Sequence, residues 1–201
     1  KLWWITSIMG RPKHEMRRKF GTSFVSRPGR RIVIPKITLI PMSKRHFKAT
    51  RNWLLDPALR DCVDCLKPPT PKKNEVYWNA HLRNRGEINY AVLDEKEIHI
   101  GNCGLRNIDS ERKKAELWIY LGEKRGRGIG AEAAAALLKI GFKKMKLNRI
   151  FVRVLENNKN ALNFFKSLGF LEEGRFRQDT LQNKKFVDSV FFSMLAAEYV
   201  R

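Results

Sequence analysis

The sequence predicts a mixed α/β fold, a largely antiparallel sheet covered by helices on both faces. Three observations predict it. Apolar residues recur at helical spacing between 43 and 86, and then alternate with a period of two in three successive runs up to residue 122. Beyond 122 a glycine-rich bend, KRGRGIG, opens into an alanine-rich stretch of helical character. The element order that results is β-αα-βββ-α-β-α-ββ.

RIVIPKITLIPM (31–42) alternates and is broken by Pro35 and Pro41, which predicts one edge strand. Ser43 is suited to cap a helix over SKRHFKATRNWLLDP, where Phe47, Trp53 and Leu54 hold helical spacing until Asp56-Pro57 ends it. The prolines of LKPPTPKKN predict a loop, and EVYWNAHLRNR a second helix stopped by Gly86. EINYAVLD, EIHIGNCGLRNID and KAELWIYLG are expected as three strands, the first two joined at Asp94-Glu95-Lys96. AEAAAALLKIGFKKM places Ala134, Leu137, Leu138, Gly141 and Phe142 on one narrow apolar face suited to close packing on a sheet. RIFVRVLE is a further strand, NALNFFKSLGF a short helix closed by Gly169, and GRFRQDTLQNKKFVDSVFFSML a long final hairpin.

With 201 residues and 43% hydrophobic content the chain fits one domain (37–201) preceded by a basic extension (1–36). No run approaches the roughly 18 apolar residues of a membrane helix. The formal charge of +21 points to polyanionic partners: RNA, an acidic membrane surface or a phosphate-rich ligand. The extension alone holds ten Lys/Arg against Glu15, and such a segment buries too little apolar surface to fold unaided. Cys62, Cys65 and Cys103 form no disulfide framework, which favours a reducing compartment. Cys62-Val-Asp-Cys65 has C-x-x-C spacing, but no second ligand pair accompanies it, so no metal site is expected. The chain starts at Lys1. Glu15 and the absence of a long apolar run argue against a secretory signal, and a trimmed organellar transit segment would place the protein in mitochondria rather than the cytoplasm.

The bend carries the chemistry. A strand running into glycines and then a helix N-terminus exposes several amide N–H groups in one concave nest, with the helix dipole adding partial positive charge. Lys124, Arg125 and Arg127 add full charges around it. By itself a short glycine pattern is equally the mark of a tight turn. RGRGIG, however, fits R-x-x-G-x-G, and here the chain resembles the GNAT superfamily of N-acetyltransferases over about residues 37–199. AELWIYLG is similar to the family's strand before the acetyl-CoA loop, LNRIFVRVLENN to the strand after it, and NALNFFKSLGF to its closing helix. WLLDPAL and EEGRFR…KFVDSVFFSML resemble the branch that acetylates ribosomal-protein N-termini and amino sugars.

The resemblance implies acetyl-CoA as cosubstrate, without a metal. Its pyrophosphate would lie on Arg125, Gly126, Arg127, Gly128, Ile129, Gly130 and Ala131. A parallel pair of strands, 115–121 and 149–155, would splay to admit the pantetheine arm beside Ile119, Leu121, Asn158 and Phe165, with an N–H near Leu121 polarising the thioester carbonyl. Glu116 is implied as general base or substrate anchor. The pattern fails at the proton donor: the family's Tyr in F-Y-x-x-x-G-F is Phe165 here, and its Ser in N-x-x-S is Ala161. A water or Tyr120 is left to replace them. Two functions follow. One is an active transferase to a protein N-terminus or small amine. The other is an RNA-docking, ribosome-associated scaffold contacting phosphates through Arg17, Arg18, Lys19, Arg27, Arg30 and Arg31, with Trp3, Trp4 and Phe20 as stacking surfaces.

Overall fold

Glycine, proline and alternation lay out one eight-stranded sheet with helices on each face. The computed structural model describes residues 31–199 except 64 and 66. Arg17, Arg18, Lys19, Arg27, Arg30, Trp3, Trp4 and Phe20 lie outside the described residues. The strands are β1 (Ile32–Ile34), β2 (Ile37–Pro41), β3 (Ile88–Asp94), β4 (His99–Asp109), β5 (Lys114–Leu121), β6 (Arg149–Leu155), β7 (Leu171–Gln182) and β8 (Lys185–Leu195). They lie in the order β1-β2-β3-β4-β5-β6-β8-β7. Every pairing is antiparallel except β5 with β6.

The alternating segments fold as the period-two reading requires, and three punctuation signals act differently from expectation. Residues 31–42 form a hairpin, not a single edge strand. Pro35 cannot donate to a ladder, so the chain turns at Pro35-Lys36 and β1 pairs back on β2 with Ile34 opposite Ile37. This makes β2 an interior strand, with Ile37 and Leu39 almost fully buried. Asp56-Pro57 ends α1 (Phe47–Trp53), but it also starts α2 (Pro57–Cys62): the Asp56 carboxylate accepts from the Ala58 N–H at 2.9 Å, and Pro57 occupies the first helical position, where no N–H is missed. The proline-rich loop likewise closes early. Thr70 caps α3 (Pro71–Arg83) by accepting from the Lys73 N–H at 3.3 Å, so the helix begins before Glu75 and its last cap is Asn84 rather than Gly86.

Alternation sends two cores to opposite faces of the sheet. On one, α4 (Ile129–Lys139) lays Ala133, Leu137 and Leu138 on Leu39, Val92, Leu105, Leu117 and Ile150; α5 (Lys159–Ser167) joins it through Phe165 and Leu162. A π-turn, Ile140–Lys144, ends α4 with Gly141 tight against Ile150. On the other face Met42, Phe47 and Trp78 form a smaller cluster under α1 and α3, with Tyr77 and Trp118 packed on it. No helix of the described residues is long and apolar enough to cross a membrane.

Close approach of backbones is strictest at Gly104, between β3 and β5. A Cβ there would sit 2.1 Å from the Ile88 carbonyl oxygen and 2.8 Å from the Trp118 indole nitrogen. Gly104→Ala is therefore expected to destabilise the fold by about 2–3 kcal/mol. Urea denaturation measures it, and a midpoint equal to wild type would contradict the β3–β4 register.

Candidate active site

The site begins where β5 and β6 stop pairing. Their parallel register holds for three steps, Lys114–Arg149, Ala115–Ile150 and Glu116–Phe151, and then ends. Below and above that point each strand keeps its other neighbour: β5 stays registered with β4 to Leu121, and β6 with β8 to Leu155. The Gly122 N–H donates to the Ile100 carbonyl at 2.9 Å, which sets the backbone groups of Tyr120 and Trp118 toward β4. The N–H and C=O of Ile119 and Leu121 therefore face the opening between the splayed strands. The fork is a sheet edge inside the sheet.

At its open end lies the glycine bend. Gly126 and Gly128 have φ of +79° and +77°, left-handed values at which any Cβ is strained, and both point into open space. Gly128 is the N-cap of α4 and offers no side chain to the helix start. None of the amides from 125 to 130 finds an acceptor among the described residues. The nest foreseen from the sequence is thus open, at the positive end of the α4 dipole. Its charges are not equivalent. Lys124 is ion-paired with Asp94, and the Arg125 Nε–H donates to the Leu121 carbonyl at 2.9 Å while its guanidinium stands 3.9 Å from Asp56. Arg127 is exposed and has no partner among the described residues.

Glu116, Trp118 and Tyr120 point to the opposite face from Ile119 and Leu121, toward α1 and α3. Glu116 is buried. Its two oxygens accept from the Arg106 guanidinium at 2.5 Å and the Asn107 amide at 2.9 Å. Tyr120 accepts at its hydroxyl from the Asn102 amide at 3.0 Å, and burial pushes the phenol above its usual range, so it keeps its proton at neutral pH. Asn102, wholly buried on β4, also donates to the Thr50 hydroxyl at 3.0 Å and accepts from the His99 Nε2 at 2.9 Å. Trp53 lies against Gly122 and its ring stands 4.7 Å from that of His99. The sequence reading gave Asn102, Arg106 and Trp53 no part in the site. The signal available was a polar residue, Asn102, at an inward position of an otherwise apolar strand.

The remaining expected site residues fall as follows. Ala161 and Phe165 stand on α5 with no hydroxyl, on the α4 side of the sheet, and Phe165 packs into the main core against Phe170 at 5.4 Å between ring centres. Tyr120 belongs to the other face, away from both. Asn158 caps α5, accepting from the Ala161 N–H at 3.1 Å, and its amide donates to the Cys62 carbonyl at 3.4 Å. Gly130 lies under Phe164, where a Cβ would meet the ring at 3.6 Å. Ile129 is buried, while Ala131 is half-buried in the first turn of α4. Arg31, at the foot of the extension, is ion-paired with Glu97. Among the described residues there is no cluster of three or more metal-ligating side chains, and Cys62 is exposed while Cys103 is buried.

The sequence model of the acetyltransferase (GNAT) domain matches residues 36–171. An uncharacterized N-acetyltransferase, p20, of Bacillus licheniformis is 34% identical over 109 residues, 54% of this chain and 61% of that protein, so the match spans about three fifths of the relative's length. The spermidine N(1)-acetyltransferase of Vibrio cholerae is 25% identical over 127 residues, 63% of this chain and 73% of its own. The crystal structure of the V. cholerae spermidine N-acetyltransferase, in complex with CoA and spermine, superimposes with a TM-score of 0.76 at 22% identity, over 82% of this chain and 98% of that one.

One titration is built into the wall of this site. His46, buried beneath α1, accepts the Ser43 N–H at its Nδ1 at 3.0 Å. Burial, with His99 and Arg45 nearby, lowers its pKa to about 4. The unfolded chain binds a proton near ~6.5 that the folded chain refuses. The stability tied to neutral His46 is thus complete above that pH and is lost as pH falls toward 4. His46→Gln, which keeps an acceptor for Ser43, is expected to flatten the decline in unfolding midpoint between pH 7 and pH 4.5. A variant with the wild-type slope would show that His46 does not carry it.

Proposed function

This chain belongs to the GNAT acetyltransferase family, and on that premise we propose that it transfers acetyl from acetyl-CoA to a weakly basic primary amine, the α-amine of a polypeptide N-terminus. The observation that carries the reading is the continuity of two sets of backbone donors. The free amides of 125–130 lead directly to the turned-out edge of Ile119 and Leu121. The residues present fit the cosubstrate: a cradle whose glycines leave it open, beside an unpaired strand edge.

Gly126, Arg127, Gly128, Ile129, Gly130 and Ala131 would hold the pyrophosphate with backbone N–H groups and the α4 dipole, with Arg125 and Arg127 adding charge. Ile119 and Leu121 would pair with the amide-bearing pantetheine arm as with a strand, Asn158 and Phe165 flanking it. The Leu121 N–H would then face the thioester carbonyl, where it would stabilise negative charge developing on oxygen. Acetyl-CoA supplies an activated acyl group whose departing thiol has a pKa near ~8.5. Such a group leaves tolerably without a proton donor, which suits a chain with Ala161 and Phe165 where the family carries hydroxyls. General acid help of this kind is worth about 10²–10⁴ in rate, so the absence slows turnover without abolishing it.

The choice of amine follows from Glu116 and from charge. Both Glu116 oxygens are engaged, by Arg106 and Asn107, an arrangement that makes it an anchor of the acceptor wall, with Tyr120 beside it, rather than a carboxylate free to face the amine. An amine must then arrive largely neutral. An α-amine titrates near ~7.7–8.0 and an alkylamine near ~10.4, a difference of a few hundredfold in neutral fraction at pH 7. A net charge of +21 further disfavours polycations such as the polyamines of the Vibrio relatives.

Calorimetry is expected to show CoA binding in the micromolar range, abolished by Gly128→Asp with unchanged circular dichroism. Absence of binding to wild type would remove the transferase reading. In a coupled thiol-release assay at pH 7.5, a short peptide with a free N-terminus is expected to show kcat/KM at least about tenfold above spermidine. Equal or better use of spermidine would replace the α-amine with a polyamine.

A further inference from the structure

The two side chains that lead from the bend to the arm of the cosubstrate, Arg125 and Asn158, share one other partner, and it is α2. The helix is held at its first residue and at its last. Asp56, its N-cap, places one carboxylate oxygen on the Ala58 N–H and the other 3.9 Å from the Arg125 guanidinium. The carbonyl of Cys62 accepts from the Asn158 amide at 3.4 Å. Arg125 follows β5 and Asn158 follows β6, so α2 bridges the open end of the fork. Its other attachments are of another kind: Leu59 is buried, and the Arg60 guanidinium donates to the Leu54 and Leu55 carbonyls at 2.9 and 2.8 Å. The Asp61 carbonyl accepts from the Gln182 amide at 2.6 Å, and its carboxylate from the Asn183 amide at 3.3 Å. Gln182 is buried and also accepts from the Asn157 amide at 2.5 Å. That anchor belongs to the β7–β8 hairpin and touches neither Arg125 nor Asn158.

We propose that α2 is a strap coupled to the cosubstrate: acetyl-CoA takes Arg125 and Asn158 from it, and α2 then pivots on its Gln182 anchor to admit the amine. The inference rests on the cup being the acetyl-CoA site. Its physical basis is exchange of partners. A pyrophosphate on Arg125 competes with Asp56, and a pantetheine amide on the Asn158 Nδ2 competes with the Cys62 carbonyl. Both contacts are long and one is an exposed ion pair, so each is weak and easily exchanged, whereas the short buried amide contacts at Gln182 stay. The coupling is reciprocal: whatever acetyl-CoA does to α2, holding α2 in place does to acetyl-CoA.

Hydrogen exchange of amides 58–62 in the full chain, with and without CoA, tests this directly. Exchange is expected to quicken by about three- to tenfold when CoA binds, against the slowing that a closing lid would give. Asp56→Asn keeps the helix cap but removes the charge facing Arg125. CoA should bind this variant about three- to tenfold more tightly, and α2 should already exchange fast without it, so that CoA changes the rate little. A general gain in positive field would tighten CoA but leave the CoA-dependent change in α2 exchange at its wild-type size, and that result would overturn the strap. Slower exchange of 58–62 on binding would overturn it as well. If wild type bound no CoA, the transferase reading itself would fall, a different outcome from CoA binding with α2 unmoved.

Discussion

The end of the β5–β6 pairing at Glu116 and Phe151 is the constraint on which the rest of this protein depends. Each strand is committed to another neighbour, β5 to β4 and β6 to β8, and those ladders run on past the fork. Two strands that twist with different partners must part once their own short register ends. The result is a row of backbone donors and acceptors on Ile119 and Leu121 that the sheet does not use. An edge of this kind would ordinarily invite a foreign strand. Here it lies inside the sheet, between the α4–α5 layer and the α1–α3 layer.

Charge at the bend is sorted by the same geometry. The positive φ of Lys124, Gly126 and Gly128 turns the chain through a tight, open arc. That arc requires a fixed starting point, which the Lys124–Asp94 pair supplies from the end of β3. One cation is thus spent on shape, one is tied to the Leu121 carbonyl and Asp56, and Arg127 faces outward. The large positive charge of the chain is consequently a poor guide to how many cations a bound phosphate would meet. The backbone amides, uncharged and counted by no composition, are the larger part of the nest.

The acceptor side shows how a family pattern can be kept in architecture and altered in chemistry. Ala161 and Phe165 leave the α5 face without a hydroxyl. The polar groups present instead lie across the sheet, where Asn102 ties Tyr120, Thr50 and His99 into one buried network and Arg106 with Asn107 clasps Glu116. Tyr120 therefore lies on the face of β5 opposite α5, held in the Asn102 network. The bonds that Asn102 and Glu116 make hold these side chains in one arrangement, although the His99 Nδ1 and the Arg106 Nε are buried without a partner among the described residues.

What the residues by themselves determined was local and periodic. Alternation announced β3, β4, β5, β6 and the final hairpin, glycine and alanine announced the bend and α4, and RGRGIG with its flanking strands carried the family. These signals depend on a side chain and its near neighbours, so they can be read in line. Proline was read only halfway: Pro35, Pro57 and Pro71 mark stops in a sequence, and only the packed chain shows that each is also the turn or the first residue of a new element. Tertiary structure alone decided the rest, namely where the β5–β6 ladder ends, that Glu116 meets Arg106, that Lys124 is held by Asp94 and that α2 spans the fork. Each of these joins residues from different strands or helices, and a strand's outward amides acquire meaning only when its neighbour is known to have turned away.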